Sequence, residues 1–565
     1  MFRCPASVML VLLMASAASG AMIVVDDDGA GNFTTIQEAI NASEAGDEIV
    51  VQSGTYPENL VVDRSVVLKG EDGTVVKGSI LSSEPLVTIT SDDVTLEGLT
   101  FSGGLNYSSD FGSVVVLADG FKLLNSTISD SSGHGLCLRD SRDHLVSGNL
   151  IHDNRRGGVC LIGANFSQVA GNLIFSNGKW GIALDRCEYD VLIQNEVCEN
   201  GEAGVQLVGS FYTQALFNRI HLNEEDGMHL MGSMNTAILE NGISDNVLNG
   251  VNLDHAPNNF LLNNVINGSG EEGLLVIGFS DDNIIIGNSL YENGINGIGV
   301  YGSYFCTLSQ NEIFDNNYNG VSLRDNCSNN LISDNQIHGN KRYGCYMEES
   351  NKNFVEGNDV YGNLHGVIVA RSSDSVLEAN EIHDNRFGLS MEFSDAASIS
   401  GNDLYNNSDH AVQLKSCDRS KVWENDISEN GGDGVHVSGS ENLVASRNII
   451  ENNSKYGIQM LDQTAQTTFM YNVVRQNDGG GIYIYEGNVD LITGNIFVDN
   501  QNFNARDNGD NNRWIANFYS DYSGEAIGGG VVGTEPHPIH GRRGAVTFDL
   551  SPVVVKAWLE ERGPD

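Results

Sequence analysis

Apolar and polar positions alternate with a period of two in short segments that recur along most of the chain. Val205–Leu207, Val251–Leu253 and Val435–Val437 are three such segments, and each one directly follows a glycine. Alternation of this kind predicts a strand with one buried face. No apolar stripe at helical spacing appears within a repeat. Each segment is therefore predicted to be a short, half-buried strand.

The segments belong to a repeat marked by two asparagines and a glycine. Up to Gly481, the second asparagine follows the first by five residues and the glycine by eight or nine, as in Asn149, Asn154 and Gly158; Ser269 and Ala411 replace these residues once each. The first asparagines are spaced by 22 to 24 residues and stand at 149, 172, 195, 218, 241, 264, 288, 311, 335, 358, 380, 402, 425, 448, 472 and 495. Such a repeat is too short for two helices, and regular repetition at this period indicates a solenoid.

The repeat predicts an all-β fold, a single-stranded right-handed parallel β-helix of about 19–20 coils of 22–24 residues. Stacked coils should pair in parallel about 4.8 Å apart, and parallel crossovers are almost always right-handed. We expect each asparagine to occupy a bend that tolerates left-handed backbone, with its amide bonded to the same amide one coil on. The glycines are expected at bends that need positive φ.

Composition changes along the chain and divides it into five predicted segments. The first begins with Arg3, continues with an apolar core and ends in small residues, as secretory signals do. The second contains a short helix through Ala42, which Thr34 or Thr35 can cap. In order, the segments are a signal peptide (1–21), an N-terminal loop and capping helix (22–48), irregular first coils (49–134), regular Asn/Gly repeats (135–501) and a C-terminal cap (502–565).

The strongly acidic composition limits the partners that we expect. The chain has 75 acidic and 30 basic residues, a formal net charge of −45 and a pI near 4.4. Nucleic acid is not an expected partner, because phosphate binding needs clustered Lys and Arg. Acidic surfaces can hold divalent cations such as calcium. The repeat itself does not require a cofactor. The apolar core of the signal is too short to span a membrane, so the mature protein is expected to be exported, to a cell surface or a periplasm-like space, without a transmembrane segment.

Export permits disulfides. Cys137 and Cys160 both lie two residues after the turn glycine of adjacent coils. They should therefore stack on the outer face at a spacing that a disulfide accepts, and we predict that bridge. Cys345 occupies an inward position and is predicted to be a buried thiol.

Two segments carry a family resemblance. Gly54–Asn59 and its flanking strands resemble the opening shared by pectin methylesterases and many secreted β-helix proteins. Asn511–Trp514, Ser520–Tyr522 and Thr534–Ile539 resemble the C-terminal cap of NosD-like β-helix proteins. The resemblance implies a β-helix fold and a family that includes copper-centre accessory proteins and surface proteins with carbohydrate-binding-type repeats.

The NosD resemblance directs attention to a methionine-rich stretch. Thioether and imidazole groups suit copper, and His229, Met231 and Met234 are the copper candidates. Met228 lies in an inward position, where methionine ordinarily fills the core.

The outward positions, two and four residues after the turn glycine, become charged and aromatic in the middle coils. Consecutive coils should present them about 5 Å apart as one strip. The strip is a candidate carbohydrate-binding face, or alternatively a solvated ladder of alternating charges. The candidate ligand-binding residues are Arg324, Asp325, Tyr346, Glu348, Glu349, Arg371, Glu392 and Lys415.

No complete catalytic set is evident in the sequence. Gly133-His134-Gly135 matches one polygalacturonase motif, but its partner motifs are absent, and the pectin methylesterase motifs are absent as well. The catalytic candidates are Arg324, Arg371 and Lys415 as bases of a lyase, and Asp254 with His255 as an acid–base pair near His229, Asn252, Asp185 and Arg186.

The sequence thus favours an exported, non-catalytic β-helix protein that binds polysaccharide or envelope glycans or serves as a surface structural component. Two alternatives stay open. One is a polysaccharide lyase or glycoside hydrolase that acts on the strip, and the other is a NosD-type accessory protein for copper-centre assembly.

Overall fold

The computed structural model describes residues 20–78, 84–104, 112–527, 530–542 and 545–554. The chain folds into two compact units, Met1–Leu173 and Ile174–Asp565. The predicted signal peptide lies outside the described residues except for its last two, as does the end of the predicted C-terminal cap. Within the described ranges, no helix is long and apolar enough to cross a membrane.

Each coil of the Ile174–Asp565 unit contains three short strands, here called first, second and third in chain order. Val205–Val208, Gln214–Leu216 and Arg219–His221 form one coil. Strands pair in parallel with the equivalent strand of the next coil, so that Val205 lies beside Met228. Alternate side chains of each strand are buried, and these inward columns form the core. The predicted fold class is confirmed as an all-β, right-handed parallel solenoid of about 21 turns, slightly more than the 19–20 predicted.

The first strands follow or include the turn glycine, or the residue that replaces it: Ile182–Asp185, Val205–Val208, Met228–Met231, Val251–Asp254, Leu274–Ile277, Ile298–Tyr301, Val321–Arg324, Tyr343–Glu348, His365–Ala370, Phe387–Glu392, Val412–Lys415, Val435–Ser438, Tyr456–Leu461, Gly480–Ile484 and Ala505–Asp507. The second strands are Val191–Ile193, Gln214–Leu216, Ala237–Leu239, Phe260–Leu262, Ile284–Ile286, Thr307–Ser309, Leu331–Ser333, Phe354–Glu356, Val376–Glu378, Ser398–Ser400, Lys421–Trp423, Val444–Ser446, Thr468–Met470, Leu491–Thr493 and Arg513–Ile515. The third strands are Leu173–Phe175, Glu196–Cys198, Arg219–His221, Gly242–Ser244, Val265–Asn267, Ser289–Tyr291, Glu312–Phe314, Gln336–His338, Asp359–Tyr361, Glu381–His383, Asp403–Tyr405, Asp426–Ser428, Ile449–Glu451, Val473–Arg475, Ile496–Val498 and Phe518–Tyr519.

The Met1–Leu173 unit has the same construction with less regular spacing. Its helix, Ile36–Ala42, begins after Thr35, whose side chain accepts a hydrogen bond from the Glu38 amide, and this confirms the predicted helix and cap. The first two backbone amides of the helix, those of Ile36 and Gln37, donate to the Glu58 carboxylate. The strands are Met22–Val25, Glu48–Val51, Gly54–Tyr56, Leu60–Val62, Val67–Gly70, Thr74–Lys77, Val87–Ile89, Thr95–Glu97, Thr100–Ser102, Gly112–Val116, Lys122–Leu124, Thr127–Ser129, His134–Arg139, Leu145–Ser147, Leu150–His152, Val159–Ile162 and Gln168–Ala170.

The asparagines form the predicted amide ladder. The Asn195 side-chain amide donates to Asn218 Oδ1 at 3.0 Å, and both side chains are buried. The expected left-handed backbone, however, belongs to the residue before each asparagine, such as Gln194 with φ 55° and Phe217 with φ 53°. The prediction that the asparagines themselves take this conformation is wrong, because their role is to satisfy buried polar groups of the neighbouring coils.

The turn glycines also serve a purpose other than the predicted one. Gly204 and Gly227 do not have positive φ. A Cβ on Gly204 would lie 2.5 Å from Ile220 Cγ2 and 2.8 Å from the Gly227 carbonyl oxygen. Glycine is therefore needed because adjacent coils approach too closely for a side chain.

The last coil is closed by an antiparallel strand pair, His537–His540 with Val546–Asp549. Asp549 Oδ2 accepts from the backbone and side-chain nitrogens of Asn517 at 3.0 and 2.9 Å. Asn517 itself is the acceptor for the ladder residue Asn495. No further coil follows Asn517 to offer it an asparagine as acceptor. The Asp549 carboxylate takes that place and accepts the hydrogen bonds of Asn517.

Candidate functional site

The structure places the predicted strip on one outward surface of the first strands. Parallel register aligns Tyr346 with Ile368, and Glu348 with Ala370. Glu392 aligns with Lys415. The predicted spacing of these columns is thus present.

The charges of the strip are engaged with one another. Arg324 contacts Glu348 at 2.9 Å, and Arg371 contacts both Glu348 and Glu349. Burial acts to raise the pKa of Glu348, but hydrogen bonds from Tyr346 and Arg324 and the two arginine charges outweigh it and hold the pKa below its usual value.

Lys415 lies 3.7 Å from Glu392. Arg324, Arg371 and Lys415, the three candidate lyase bases, are therefore held in ion pairs. This pairing favours the alternative interpretation of the strip, a solvated ladder of alternating charges.

The second predicted cluster divides into separate groups. His255 and Asp254 are 2.6 Å apart at an exposed position. Arg186 contacts Asp185 at 3.0 Å. His255 is two-thirds exposed, and its carboxylate partner is on the adjacent residue, so the pair has no enclosed surface in which to position a substrate.

His229 lies instead beside Asp226, with Nδ1 3.7 Å from Oδ2. Asn252 Nδ2 donates to the same carboxylate oxygen at 3.0 Å. Met231 is 40% exposed, whereas Met228 is buried as predicted. The copper site formed by His229, Met231 and Met234 stays a prediction.

Cys137 and Cys160 are register partners on adjacent coils, as predicted. Both side chains are buried against Val115 and Ile162, whereas the sequence placed them on an open outer face. The disulfide stays a prediction. Cys345 is a fully buried side chain, in agreement with its predicted inward position, and burial raises the pKa of its thiol to about 12.

A second row of functional groups borders the strip and was not predicted. It consists of rings that follow one another from coil to coil, and we call it the aromatic edge: Tyr343, His365, Phe387, His410, His436, Tyr456, Tyr483 and Phe503. Four of these residues directly precede a turn glycine, namely Tyr343, His365, Phe387 and Tyr456, whereas the sequence analysis followed the positions after it. A recurring ring or histidine before the glycine was the available signal.

Ring orientation varies more along this edge than in another stack on the third strands. The third-strand rings lie nearly parallel, at 1° to 13°, and so cover each other's faces: Tyr291, Phe314, His338, Tyr361, His383 and Tyr405. Along the aromatic edge, Phe387 and His410 are inclined by 49°, and Tyr456 and Tyr483 by 45°, whereas His365 and Phe387 are stacked at 8°. The edge therefore contains both stacked and inclined rings.

Cations accompany the aromatic edge. The Arg342 guanidinium lies 4.6 Å from the ring centre of Tyr343, and that of Arg386 lies 5.3 Å from Phe387. Arg506 lies 5.8 Å from Phe503, and Lys455 is exposed next to Tyr456. Among the described residues, none of the four cations forms an ion pair with a carboxylate: Arg342, Arg386, Lys455 and Arg506.

The centre of the edge contains His410, Asp433 and His436. The Asp433 carboxylate is fully buried, and its Oδ2 lies 2.9 Å from His436 Nδ1 and 3.3 Å from His410 Nδ1. Its Oδ1 accepts from the Tyr456 amide at 3.0 Å. Burial lowers the pKa of His410, although the Asp433 charge opposes this effect. The three residues are close enough to hold a metal ion or to act together in proton transfer.

The edge ends at a cleft of about 340 Å³ near the closing strand pair. Its lining includes Phe503, Arg506, His537 and His540. The cleft therefore continues the combination of rings and cationic or titratable nitrogens.

Comparison with known proteins gives a family match over most of the chain and a short sequence match to one relative. The profile described as "Right handed beta helix region" matches residues 112–290, 211–330, 277–414 and 388–519. A cell surface glycoprotein of Methanothermus fervidus is 33% identical over 101 residues, which are 18% of this chain and only 16% of that protein.

Two solved structures illustrate the similarity of fold. The A-module of an Azotobacter vinelandii mannuronan C-5 epimerase is 15% identical with a TM-score of 0.36, and the match covers 63% of this chain and 92% of that one. DFA-IIIase from Arthrobacter chlorophenolicus is 13% identical with a TM-score of 0.34, and the match covers 55% of this chain and 94% of that one. Neither similarity supports an inference about activity.

Proposed function

The chain belongs to the right-handed β-helix family, and we propose that it binds an acidic polysaccharide along the aromatic edge. The observation that carries this proposal is the set of four cations without carboxylate partners, Arg342, Arg386, Lys455 and Arg506, on one edge of a chain with net charge −45. Carboxylates are abundant in this chain, so unpaired cations gathered on one edge are unexpected unless they serve an outside anion.

The edge offers both kinds of contact that such a ligand needs. Ring faces provide apolar surface for the flat side of a sugar, and guanidinium and ammonium groups form charge-assisted hydrogen bonds with carboxylates. Successive coils are about 4.8 Å apart, which is close to the length of one sugar residue. A chain lying along the solenoid could therefore meet an equivalent ring or cation at each sugar.

The predicted strip adjoins this edge and supplies part of the same surface. Tyr346 lies 5.1 Å from Tyr343, ring centre to ring centre. The Arg324 guanidinium lies 5.7 Å from the Tyr346 ring. Of the predicted strip residues, we therefore retain Tyr346 as a ligand contact. The charged residues of the strip are paired with one another and lie beside the proposed binding surface.

The test is the affinity of the protein for polygalacturonate and alginate, with uncharged dextran as the comparison. The Arg386→Gln/Lys455→Gln variant should bind the acidic chains at least about tenfold more weakly, because each charge-assisted contact contributes about 1.5–3 kcal/mol. Affinity should also fall with added salt.

Arg447→Gln/Lys421→Gln is the matched control. It removes two positive charges from another face, where Arg447 pairs with Glu424 at 3.0 Å. Equal affinity of both variants and the wild type would show that the aromatic edge is not the binding surface.

The similarity to a cell surface glycoprotein supports an extracytoplasmic location. The NosD-type role in copper-centre assembly remains a second hypothesis, and it predicts copper binding that is lost in His229→Gln/Met231→Leu. Unchanged copper binding in that variant would remove the site from consideration.

A further inference from the structure

The outer surface of the second strands is apolar over seven consecutive coils. These strands run from Val191–Ile193 to Leu331–Ser333, and none of the seven contains a charged residue. The middle residue of each strand is buried in the core, so the first and third residues point outward. We call the outward residues of these seven strands the apolar face. Its centre is formed by Ala237, Leu239, Phe260, Leu262, Ile284 and Ile286.

The same sheet carries charges in the coils that follow. The strands Phe354–Glu356 and Val376–Glu378 each end in a glutamate, and Lys421 begins a later one. Parallel pairing nevertheless continues without a break, and Leu331 lies beside Phe354 just as Phe260 lies beside Ile284. The coils therefore stack equally well with charged residues at these outward positions. The fold itself does not require the seven strands to be apolar.

The apolar face is open to solvent on the single chain. Phe260 is 41% exposed, and Leu239, Leu262 and Ile284 are partly exposed. Phe217, at the bend that follows the second strand of its coil, is 49% exposed. Exposed apolar patches of several hundred Å² on a soluble protein mark interaction sites. Such a surface is more telling on a chain whose net charge is −45.

The size of the apolar face matches that of a protein interface. Seven coils extend over about 34 Å, and the six residues from Tyr212 to Phe217 span about 20 Å across them. The face therefore measures about 650 Å², and two such faces in contact would bury about 1,300 Å². Stable, specific interfaces bury about 1,200–2,000 Å² in total.

We propose that a second copy of this chain packs on the apolar face, sheet against sheet, in a twofold symmetric dimer. A closed dimer of identical chains places the same patch of both partners in contact. Because this patch is uncharged, two strongly acidic chains can meet there without bringing like charges together. Sheets that pack face to face lie about 10 Å apart and interdigitate their outward side chains. The aromatic edge begins at Tyr343, beyond the last strand of the apolar face, so the dimer does not depend on ligand binding.

Phe260 is placed to be the anchor of this interface. It lies on the fourth of the seven strands, at the middle of the apolar face. A twofold axis through the middle of the face brings the central strands of the two copies opposite each other, so each Phe260 ring contacts the central strand of the partner. Aromatic residues at the centre of an interface contribute most to its binding energy.

The experiment measures the molar mass of the full chain by light scattering during size-exclusion chromatography, over a series of protein concentrations. The wild type should have twice the mass of one 60.9 kDa chain. Phe260→Glu/Ile284→Glu should raise the dissociation constant of the dimer at least about 100-fold, because like charges would then face each other across the interface.

Thr468→Glu/Leu491→Glu is the matched control. Thr468 and Leu491 are register partners at the same outward position of two second strands outside the apolar face. This variant adds the same two charges to the same sheet, and it should remain dimeric.

Phe260→Thr is a second variant that introduces no charge, in case the double glutamate variant fails to fold as judged by its melting curve. Threonine occurs at the same strand position in Thr307 and favours strands, so the coil should be kept. Loss of the ring should raise the dissociation constant at least about tenfold.

A dimeric wild type that the Phe260 variants weaken and the control does not would support the proposal. A wild type that is monomeric at every concentration would overturn it, and binding of that monomer to phosphatidylcholine–phosphatidylglycerol vesicles would assign the apolar face to a membrane. A dimer that neither Phe260 variant weakens would place the interface on another surface. Equal dissociation of the double glutamate variant and the control would attribute the effect to added charge and would also overturn the proposal.

Discussion

A Cβ on Gly227 would lie 2.5 Å from Cγ2 of Ile243, a side chain of the same coil's third strand. The Gly250 carbonyl oxygen of the next coil would lie 2.6 Å away. These contacts involve backbone and a fully buried side chain, so the neighbours cannot move aside cheaply.

Gly227→Ala should therefore destabilise the protein by about 1–3 kcal/mol, as overpacked cores do. Gly242→Ala is the control, because a Cβ there meets nothing within 4 Å and the residue is exposed. Thermal melting of both variants measures the difference. A Gly227→Ala variant as stable as Gly242→Ala would show that the turn glycine is not held by close packing.

Asn218→Ala should destabilise the protein by about 1–3 kcal/mol or more, because it leaves buried partners without hydrogen bonds. Asn218 Oδ1 accepts from Asn195 at 3.0 Å, and Asn218 Nδ2 donates to Asn241 Oδ1 and the Leu192 carbonyl. Asn317→Ala, at an exposed position, should change the melting temperature little. Equal melting of the two variants would mean that the ladder contributes no net stability.

The features that the sequence predicted best are those that repeat. Coil length, strand pattern and the amide ladder of Asn195 and Asn218 depend on residues at fixed separations, so one chain shows them many times. The role of Gly204 could not be predicted from its repetition. A turn with positive φ and a close approach between coils both require glycine, so the sequence does not distinguish them.

The site depended on contacts that do not repeat. His410 directly precedes Ala411, whereas His436 lies two residues after the turn glycine Gly434, and only the folded coils bring their rings to 4.5 Å. The pairing of Arg371 with Glu348 likewise depends on side-chain direction, which spacing does not specify. Sequence reasoning therefore predicted the alignment of the strip residues from coil to coil, but it could not predict that the charges of the strip pair with one another.

Val321→Asp should disrupt the local stack, because Val321 is fully inward and a buried carboxylate without a partner costs several kcal/mol. Gln459→Asp introduces the same group at an outward, half-buried position of another first strand and should be tolerated. Cooperative melting with an unchanged midpoint in Val321→Asp would contradict the inward assignment.

Asp490 should make stability fall as pH rises towards neutrality. Burial raises the pKa of its carboxyl from 3.8 to about 7, and the charge of Asp507 adds to this effect, while the hydrogen bond from the Thr467 amide opposes it. Its Oδ2 is buried without a hydrogen-bond partner among the described residues. Between about pH 4 and 7 the folded chain binds a proton that the unfolded chain has lost, so the free energy of unfolding decreases with pH across that window.

Asp490→Asn removes this titration and keeps a similar shape, with an amide of the kind found in the neighbouring ladders. The variant should gain melting temperature at pH 8, where the penalty is on the order of 4 kcal/mol at most, and gain little at pH 4, where Asp490 is protonated. Melting curves of both proteins between pH 4 and 8 measure the difference. Parallel curves across the whole range would show that Asp490 titrates alike in the folded and unfolded chains.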